Sequence, residues 1–142
     1  MKKSLICLMS LLFVLCVVGC SGGVKASHQI TKVSVNEITK SIKDYPKSYV
    51  NITGESGKEH FEVKIVFEDG KELSLNLSAN DLVETDTIKF WTCSLIEGEL
   101  NSKPVTSGII PPMVISNEKN GISSIGFDTA KDSYLITFIA KE

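Results

Sequence analysis

The most constraining feature of this chain is a regular alternation of apolar and polar residues on both sides of Asp69-Gly70. Apolar residues occupy every second position from Phe61 to Phe67, and again from Leu73 to Leu77. That period is typical of strands that bury one face, and Asp-Gly between two such runs predicts a β-hairpin. The chain is therefore expected to contain an antiparallel sheet with one face in water.

The length of the hairpin loop follows from the same alternation. Directly opposed residues share a face, so a two-residue turn would place the two apolar rows on opposite sides of the sheet. A three-residue loop at 68–70 instead pairs Ile65 with Leu73 and Val63 with Leu75, which puts both rows on one face. We therefore predict a type I turn with Gly70 in the left-handed bulge position.

One helix is predicted ahead of the hairpin. Ser34 and Glu37 have the spacing of a capping box, and the residues on either side fit a hydrophobic staple. Apolar residues then recur with a helical period before Pro46 ends the pattern; they are Val35, Ile38, Ile42 and Tyr45. The pattern predicts a helix over 35–45.

The rest of the chain is predicted to be rich in β-structure. Residues 87–95 are apolar on both faces, which favours a central strand, and Pro111 and Pro112 make 109–115 a broken edge strand. Residues 78–84 favour a short helical turn, and 98–108 a loop. Further strands are predicted at 49–53, 122–127 and 134–140.

The N-terminal segment has the pattern of an export signal. Lys2 and Lys3 precede an uncharged, apolar run over 4–19, which is shorter than the roughly 20 residues of a spanning helix. The run ends in Val17-Val18-Gly19-Cys20, which resembles the lipobox of bacterial lipoproteins. The resemblance implies that Cys20 is lipidated and becomes the first residue of the mature protein, and two or more acyl chains give stable anchoring.

Two other interpretations of this segment stay open. In ordinary secretion, cleavage after Val24-Lys25-Ala26 would leave Ser27 first, and an uncleaved anchor is the third possibility. On the lipoprotein interpretation, 1–19 is the signal peptide, 20–30 is a lipidated flexible tether, and 31–142 is a single β-rich extracytoplasmic domain.

The order of elements also suggests a fold. A helix followed by the strand at 49–53, Gly54, the hairpin and a short helical turn resembles the small OB-fold lipoproteins of bacteria, over residues 33–128. The resemblance implies a mainly β domain, a small antiparallel OB-like barrel with one N-terminal helix. The additional strand at 134–140 departs from that pattern, and a β-sandwich is the alternative.

Charge limits the classes of partner. Removal of 1–19 leaves 13 Lys against 17 Asp and Glu, a formal charge of −4, and the chain has no Arg. A mildly acidic body without guanidinium groups does not suit nucleic acid or anionic lipid. Of the four cysteines, Cys7 and Cys16 leave with the signal peptide and Cys20 carries lipid. Only Cys93 remains, so no internal disulfide is expected.

Few residues offer chemistry. His60 and Glu62 share a strand face, but a structural zinc site needs about four ligands, so a solvated strand end is favoured. An acidic group lacks the spacing of an EF-hand loop and is interpreted as a solvated turn; it comprises Asn80, Asp81, Glu84 and Asp86.

Catalysis is not favoured. Cys93 with His60 could be a nucleophile and base, but Cys93 lies in an apolar strand where a free cysteine acts as a small hydrophobe. His28 falls in the predicted tether, where it would be solvated. We therefore predict no catalytic, cofactor or metal-ligating residues, and assign Cys20 alone as a modification site.

Taken together, these features predict a membrane-anchored, extracytoplasmic, non-enzymatic domain that binds a protein, an envelope component or a small ligand. The membrane is its expected partner through the lipid on Cys20, and nucleic acid is not expected to bind. A structural or assembly subunit without its own ligand is the alternative, and an enzyme is the third possibility.

Overall fold

The computed structural model describes residues 26–139, which form ten β-strands and contain no helix. The strands run in chain order as β1 Ala26–Val35, β2 Ile38–Lys40, β3 Tyr49–Thr53, β4 His60–Val66, β5 Glu72–Glu84, β6 Ile88–Leu100, β7 Lys103–Pro104, β8 Met113–Asn117, β9 Ile122–Asp128 and β10 Ser133–Ile139.

Eight of these strands form a closed antiparallel barrel. Strands β3, β4, β5, β6, β8, β9 and β10 follow one another as hydrogen-bonded neighbours, and β1 pairs with both β3 and β10. Gln29 lies opposite Ile139 and Val35 opposite Tyr134 in the pairing that closes the barrel. Within the described residues, β2 pairs with β1 and β7 with β6, outside the closed ring. The closure decides for a barrel over a β-sandwich.

The barrel interior is a packed apolar core. Alternate residues of each strand point inward, and Ile65, Leu73, Ile125 and Ile136 are completely buried. Three phenylalanines, Phe61, Phe127 and Phe138, add large rings to this core. Eight strands enclose a space just wide enough for side chains to fill, and here apolar side chains occupy it.

The central hairpin has the predicted register. Val63 lies opposite Leu75 and Ile65 opposite Leu73. The Gly70 N–H donates to the Phe67 carbonyl at 3.0 Å, and the φ angle of Gly70 is 93°. These are the features of a three-residue loop with a left-handed glycine, so both the loop and the shared buried face are confirmed.

The helix predicted over 35–45 is wrong. Residues Asn36 and Glu37 have φ angles of 52° and 68° and form a two-residue turn between β1 and β2. Left-handed backbone at both central positions suits a tight hairpin and ends any helix. Pairing of β1 with β10 outweighs the local helical pattern, because it buries Val33 completely, whereas Ile38 of the predicted helical stripe remains 61% exposed.

Several other predictions also need correction. An OB-fold has five strands in Greek-key order, whereas this barrel has eight strands in neighbour order, so the OB likeness fails. The predicted helical turn at 78–84 is the end of β5, and part of the predicted 98–108 loop is the end of β6. Residues 26–30, predicted as tether, begin β1.

The predicted edge strand at 109–115 is corrected in the same way. Strand β8 begins after the prolines, at Met113, and pairs with both β6 and β9. Pro112 still contributes to the sheet, because its carbonyl accepts a hydrogen bond from the Cys93 N–H at 2.9 Å. The strand predicted at 87–95 is central, as expected, and continues to Leu100.

The two ends of the barrel have different surroundings. We call the end where β1 starts at Ala26 the N-terminal end; the turn at 118–121 and the last residue of β10, Ile139, lie there too. The opposite end, called the far end, carries the turns at 36–37, 68–70 and 129–132.

Candidate functional site

The residues considered for catalysis lie on opposite sides of the barrel wall. His60 is exposed at the start of β4, whereas Cys93 on β6 points into the core of the barrel and is completely buried. Burial raises the pKa of the Cys93 thiol to about 11, and the negative charge of Glu59 adds to this effect. The thiol is therefore neutral near pH 7, and Cys93 has the core position that its apolar surroundings predicted.

This placement predicts how Cys93 reacts. A buried, neutral thiol should resist a thiol reagent in the folded protein and react fully in denaturant, because the thiolate is the reactive form. Titration of a chain that begins at Ser21, in which Cys93 is the only cysteine, with a chromogenic thiol reagent, with and without urea, measures this. Rapid reaction of the folded protein would contradict the core assignment.

The polar side chains considered for metal binding form hydrogen bonds or ion pairs with neighbouring strands, or are not grouped with other possible ligands. Glu62 accepts hydrogen bonds from the Tyr49 hydroxyl at 3.3 Å and the Asn51 amide at 3.2 Å. Glu84 pairs with Lys89 at 3.7 Å. Among the described residues, no three His, Cys, Asp or Glu side chains are grouped so that they could hold a metal ion.

A buried carboxylate, that of Glu59, directly precedes the strand end at His60 that was predicted to be solvated. Glu59 is 9% exposed, and its Oε2 accepts a hydrogen bond from the Trp91 indole N–H at 2.9 Å. Its Oε1 is buried with no hydrogen-bond partner in the described part of the chain. Phe61 packs edge-on against Trp91 with ring centroids 5.5 Å apart. A single glutamate before a strand gives no sequence signal of this role.

His28 is also part of the barrel, although the sequence suggested a solvated position. It is 8% exposed, and its ring centroid lies 5.7 Å from that of Phe138. Burial lowers the pKa of its imidazole, and a hydrogen bond with the backbone of Ile139 acts in the opposite direction. Together with Glu59, His28 places titratable groups at the edge of the core.

The concave surfaces lie outside the core, around the segment 105–112, which we call the strap. The strap leaves β7 and runs between β6 and β9 to the start of β8. One groove, of about 480 Å³, separates it from the middle of β6. A second, of about 720 Å³, lies between the strap and the β9–β10 turn. Isoleucine and proline side chains of the strap line the first groove, next to Leu95 and Ile96 of β6.

Backbone contacts fix the strap at three points. The Val105 N–H donates to the Gly98 carbonyl at 2.9 Å, and the Gly108 N–H donates to the Asp128 carbonyl at 2.6 Å. Pro112 provides the third, through its carbonyl contact with Cys93. At the first point a Cβ on Gly98 would lie only 2.7 Å from the Val105 side chain, so the close approach of strap and β6 depends on glycine.

Two apolar side chains of the strap project into solvent. Ile109 is completely exposed and Ile110 is 53% exposed. The hydrophobic effect disfavours such exposure, and apolar surface next to a groove is typical of a binding surface. The prolines at 111–112 indicated an interrupted strand here, but the sequence did not indicate a groove.

Comparisons with protein-family models, with curated proteins and with solved structures found no match to this chain. Within residues 26–139, no helix has the length and apolar character that crossing a membrane requires. The fold and the strap are therefore the basis for an interpretation of function.

Proposed function

We propose that this protein is a lipid-anchored, extracytoplasmic domain that binds a protein or another envelope component on the outside of its barrel, without catalysis. The lipobox pattern ending at Cys20 supports the anchor. Six residue steps separate Cys20 from Ala26, a span of roughly 20 Å at most, so the N-terminal end would stay close to the membrane.

The observation that carries the binding proposal is the contrast between a filled interior and an exposed strap. A barrel that carries a small lipophilic ligand needs a cavity between its walls. Here apolar side chains occupy the interior, and the grooves lie at the strap beside Ile109. A partner that covers Ile109 and Ile110 would remove apolar surface from water, which favours association.

Co-purification from membranes tests this proposal, with the substitution Ile109→Asp as the critical variant. Ile109 packs against nothing in the fold, so the substitution should leave stability unchanged and reduce recovery of a stoichiometric protein partner at least about tenfold. Ile38→Asp on β2 is the control, because Ile38 is also largely exposed but lies away from the strap; it should retain the partner.

Two results would contradict the proposal. Equal recovery of the partner with Ile109→Asp would show that the strap is not the binding surface. A small molecule retained by the folded protein in native mass spectrometry, without any protein partner, would favour a ligand carrier.

A further inference from the structure

Half of the barrel wall has an outer face without charge. This face, called the uncharged wall, consists of the outward-pointing residues of 88–92 on β6, 113–117 on β8, 122–126 on β9 and 135–139 on β10. Its apolar members are mostly isoleucine, and its polar members are Ser, Thr and Asn. On the opposite side, the outward residues of β4 and β5 include Glu62, Lys64 and Glu72.

The exposed apolar residues of the uncharged wall lie in successive rows of the sheet, some paired with each other and some separated by a small or polar residue. Ile122 lies opposite Ile139 on one side and Asn117 on the other, and Asn117 lies opposite Ile88. One row further along, Phe90 lies opposite Ile115. Ile88, Ile115, Ile122 and Leu135 are between 39% and 51% exposed. An uncharged surface that exposes several large apolar side chains, with only Ser, Thr, Asn and Gly between them, is typical of a site of interaction with a protein or a membrane.

The position of the first residues of β1 indicates whether a protein or a membrane covers the uncharged wall. Gln29 pairs with Ile139, and Ile139 pairs with Ile122, so the uncharged wall starts beside the first residues of β1. The short segment from Cys20 to Ala26 would hold this end within roughly 20 Å of the lipid. The inference therefore rests on the proposed lipid anchor.

The shape of the uncharged wall and its lack of charge both favour a lipid bilayer as the partner. The wall covers half of a closed barrel and is convex, so two copies of it would touch only along a narrow line, whereas a fluid lipid surface can adapt to it. Burying the opposite wall would remove charges from water at a high cost in free energy, and the uncharged wall avoids that cost. At its margin, Lys89 is paired with Glu118 at 3.1 Å and with Glu84, and Lys32 of β1 is exposed opposite Thr137. Charges of both signs therefore flank the wall, which gives no marked preference for anionic headgroups.

We propose that the uncharged wall rests on the phospholipid bilayer, with its isoleucine side chains at the boundary between the headgroups and the acyl chains. This contact sets the orientation of the barrel, so that the charged wall of β4 and β5 faces water. Apolar burial, and not attraction between opposite charges, provides the binding.

Fluorescence quenching on vesicles tests the orientation. Ser124→Cys places a probe in the middle of the uncharged wall, and Ser74→Cys places one in the middle of the charged wall. Both serines are partly buried and point outward, and the native Cys93 is buried, so a thiol-reactive fluorophore labels the new site. The acylated variants are inserted into phosphatidylcholine vesicles whose acyl chains carry bromine, which quenches fluorescence on contact.

We expect the probe at position 124 to be quenched about threefold or more relative to the probe at 74, with no gain when phosphatidylglycerol is added. Adding Ile115→Glu to the Ser124→Cys variant should remove most of that difference. Equal quenching at the two positions in an acylated protein would overturn the orientation and leave the anchor intact. Quenching that requires phosphatidylglycerol would overturn contact by apolar burial.

Two further readouts separate this inference from its alternatives. The intact mass of the mature protein reports acylation, and a protein without acyl groups would overturn both the anchor and the inference. Protection of the thiol at position 124 in cells, but not on pure lipid vesicles, would indicate that a protein covers the wall and would overturn the lipid contact.

Discussion

Leu75→Ala is expected to lower the free energy of unfolding by about 2–5 kcal/mol, the range for a buried leucine. Leu75 is 1% exposed and lies opposite Val63 on β4 and Gly98 on β6. Truncation leaves a cavity between three strands whose backbones are fixed by their ladders, so little relaxation can fill it. Urea unfolding followed by the fluorescence of Trp91, the single tryptophan in the chain, measures the loss.

Ser74→Ala is the matched control, because it changes the adjacent residue of the same strand. Ser74 points outward beside Lys64, so its substitution should change the free energy of unfolding by no more than about 0.5 kcal/mol. Equal losses for the two variants, at unchanged dependence on urea, would contradict the assignment of inward and outward faces.

The hairpin could be predicted from sequence because every determinant is local. Gly70 satisfies the left-handed position of the loop, and the alternation on either side leaves one register that buries both apolar rows. Local patterns also placed β3, β9 and the start of β6. Each of these elements has apolar residues at positions that the sheet buries.

The predicted helix is absent because contacts with residues distant in the sequence outweigh the local helical pattern. Ser34 and Glu37 have the spacing of a helix cap, but Ser34 lies in β1 and Glu37 is the second residue of a tight turn. Asn36 stabilises that turn through its side chain, which donates to Asp132 at 2.8 Å and accepts from the Ser133 N–H at 2.9 Å. These partners lie almost a hundred residues away, so no local pattern could reveal them.

The closure of the barrel and the position of the strap could not be predicted from the sequence, for the same reason. Pairing of β1 with β10 joins the two ends of the described chain, and its register depends on the whole ring. The close approach at Gly98 and the burial of Glu59 beside Trp91 also arise only when strands far apart in sequence meet. The sequence could therefore give the β class and the central hairpin, but not the strap grooves.

Cys20→Ala is expected to abolish the lipidation of the protein completely. The thiol of Cys20 is the only group at this position that can accept a diacylglyceryl group as a thioether, and alanine has none. The variant should keep its signal peptide, lose all incorporated fatty acid and lose stable anchoring by its acyl chains. Cys16→Ala is the matched control, because Cys16 lies in the apolar run four residues earlier, and it should be processed like the natural chain.

Metabolic labelling with a radioactive fatty acid, followed by the intact mass of the purified protein, tests the lipid anchor most directly. The natural chain and Cys16→Ala should carry label and have the mass of a chain that begins at an acylated Cys20. Cys20→Ala should carry no label and keep the mass of residues 1–19. Undiminished label in Cys20→Ala, or an unlabelled natural chain that begins at Ser27, would contradict the account.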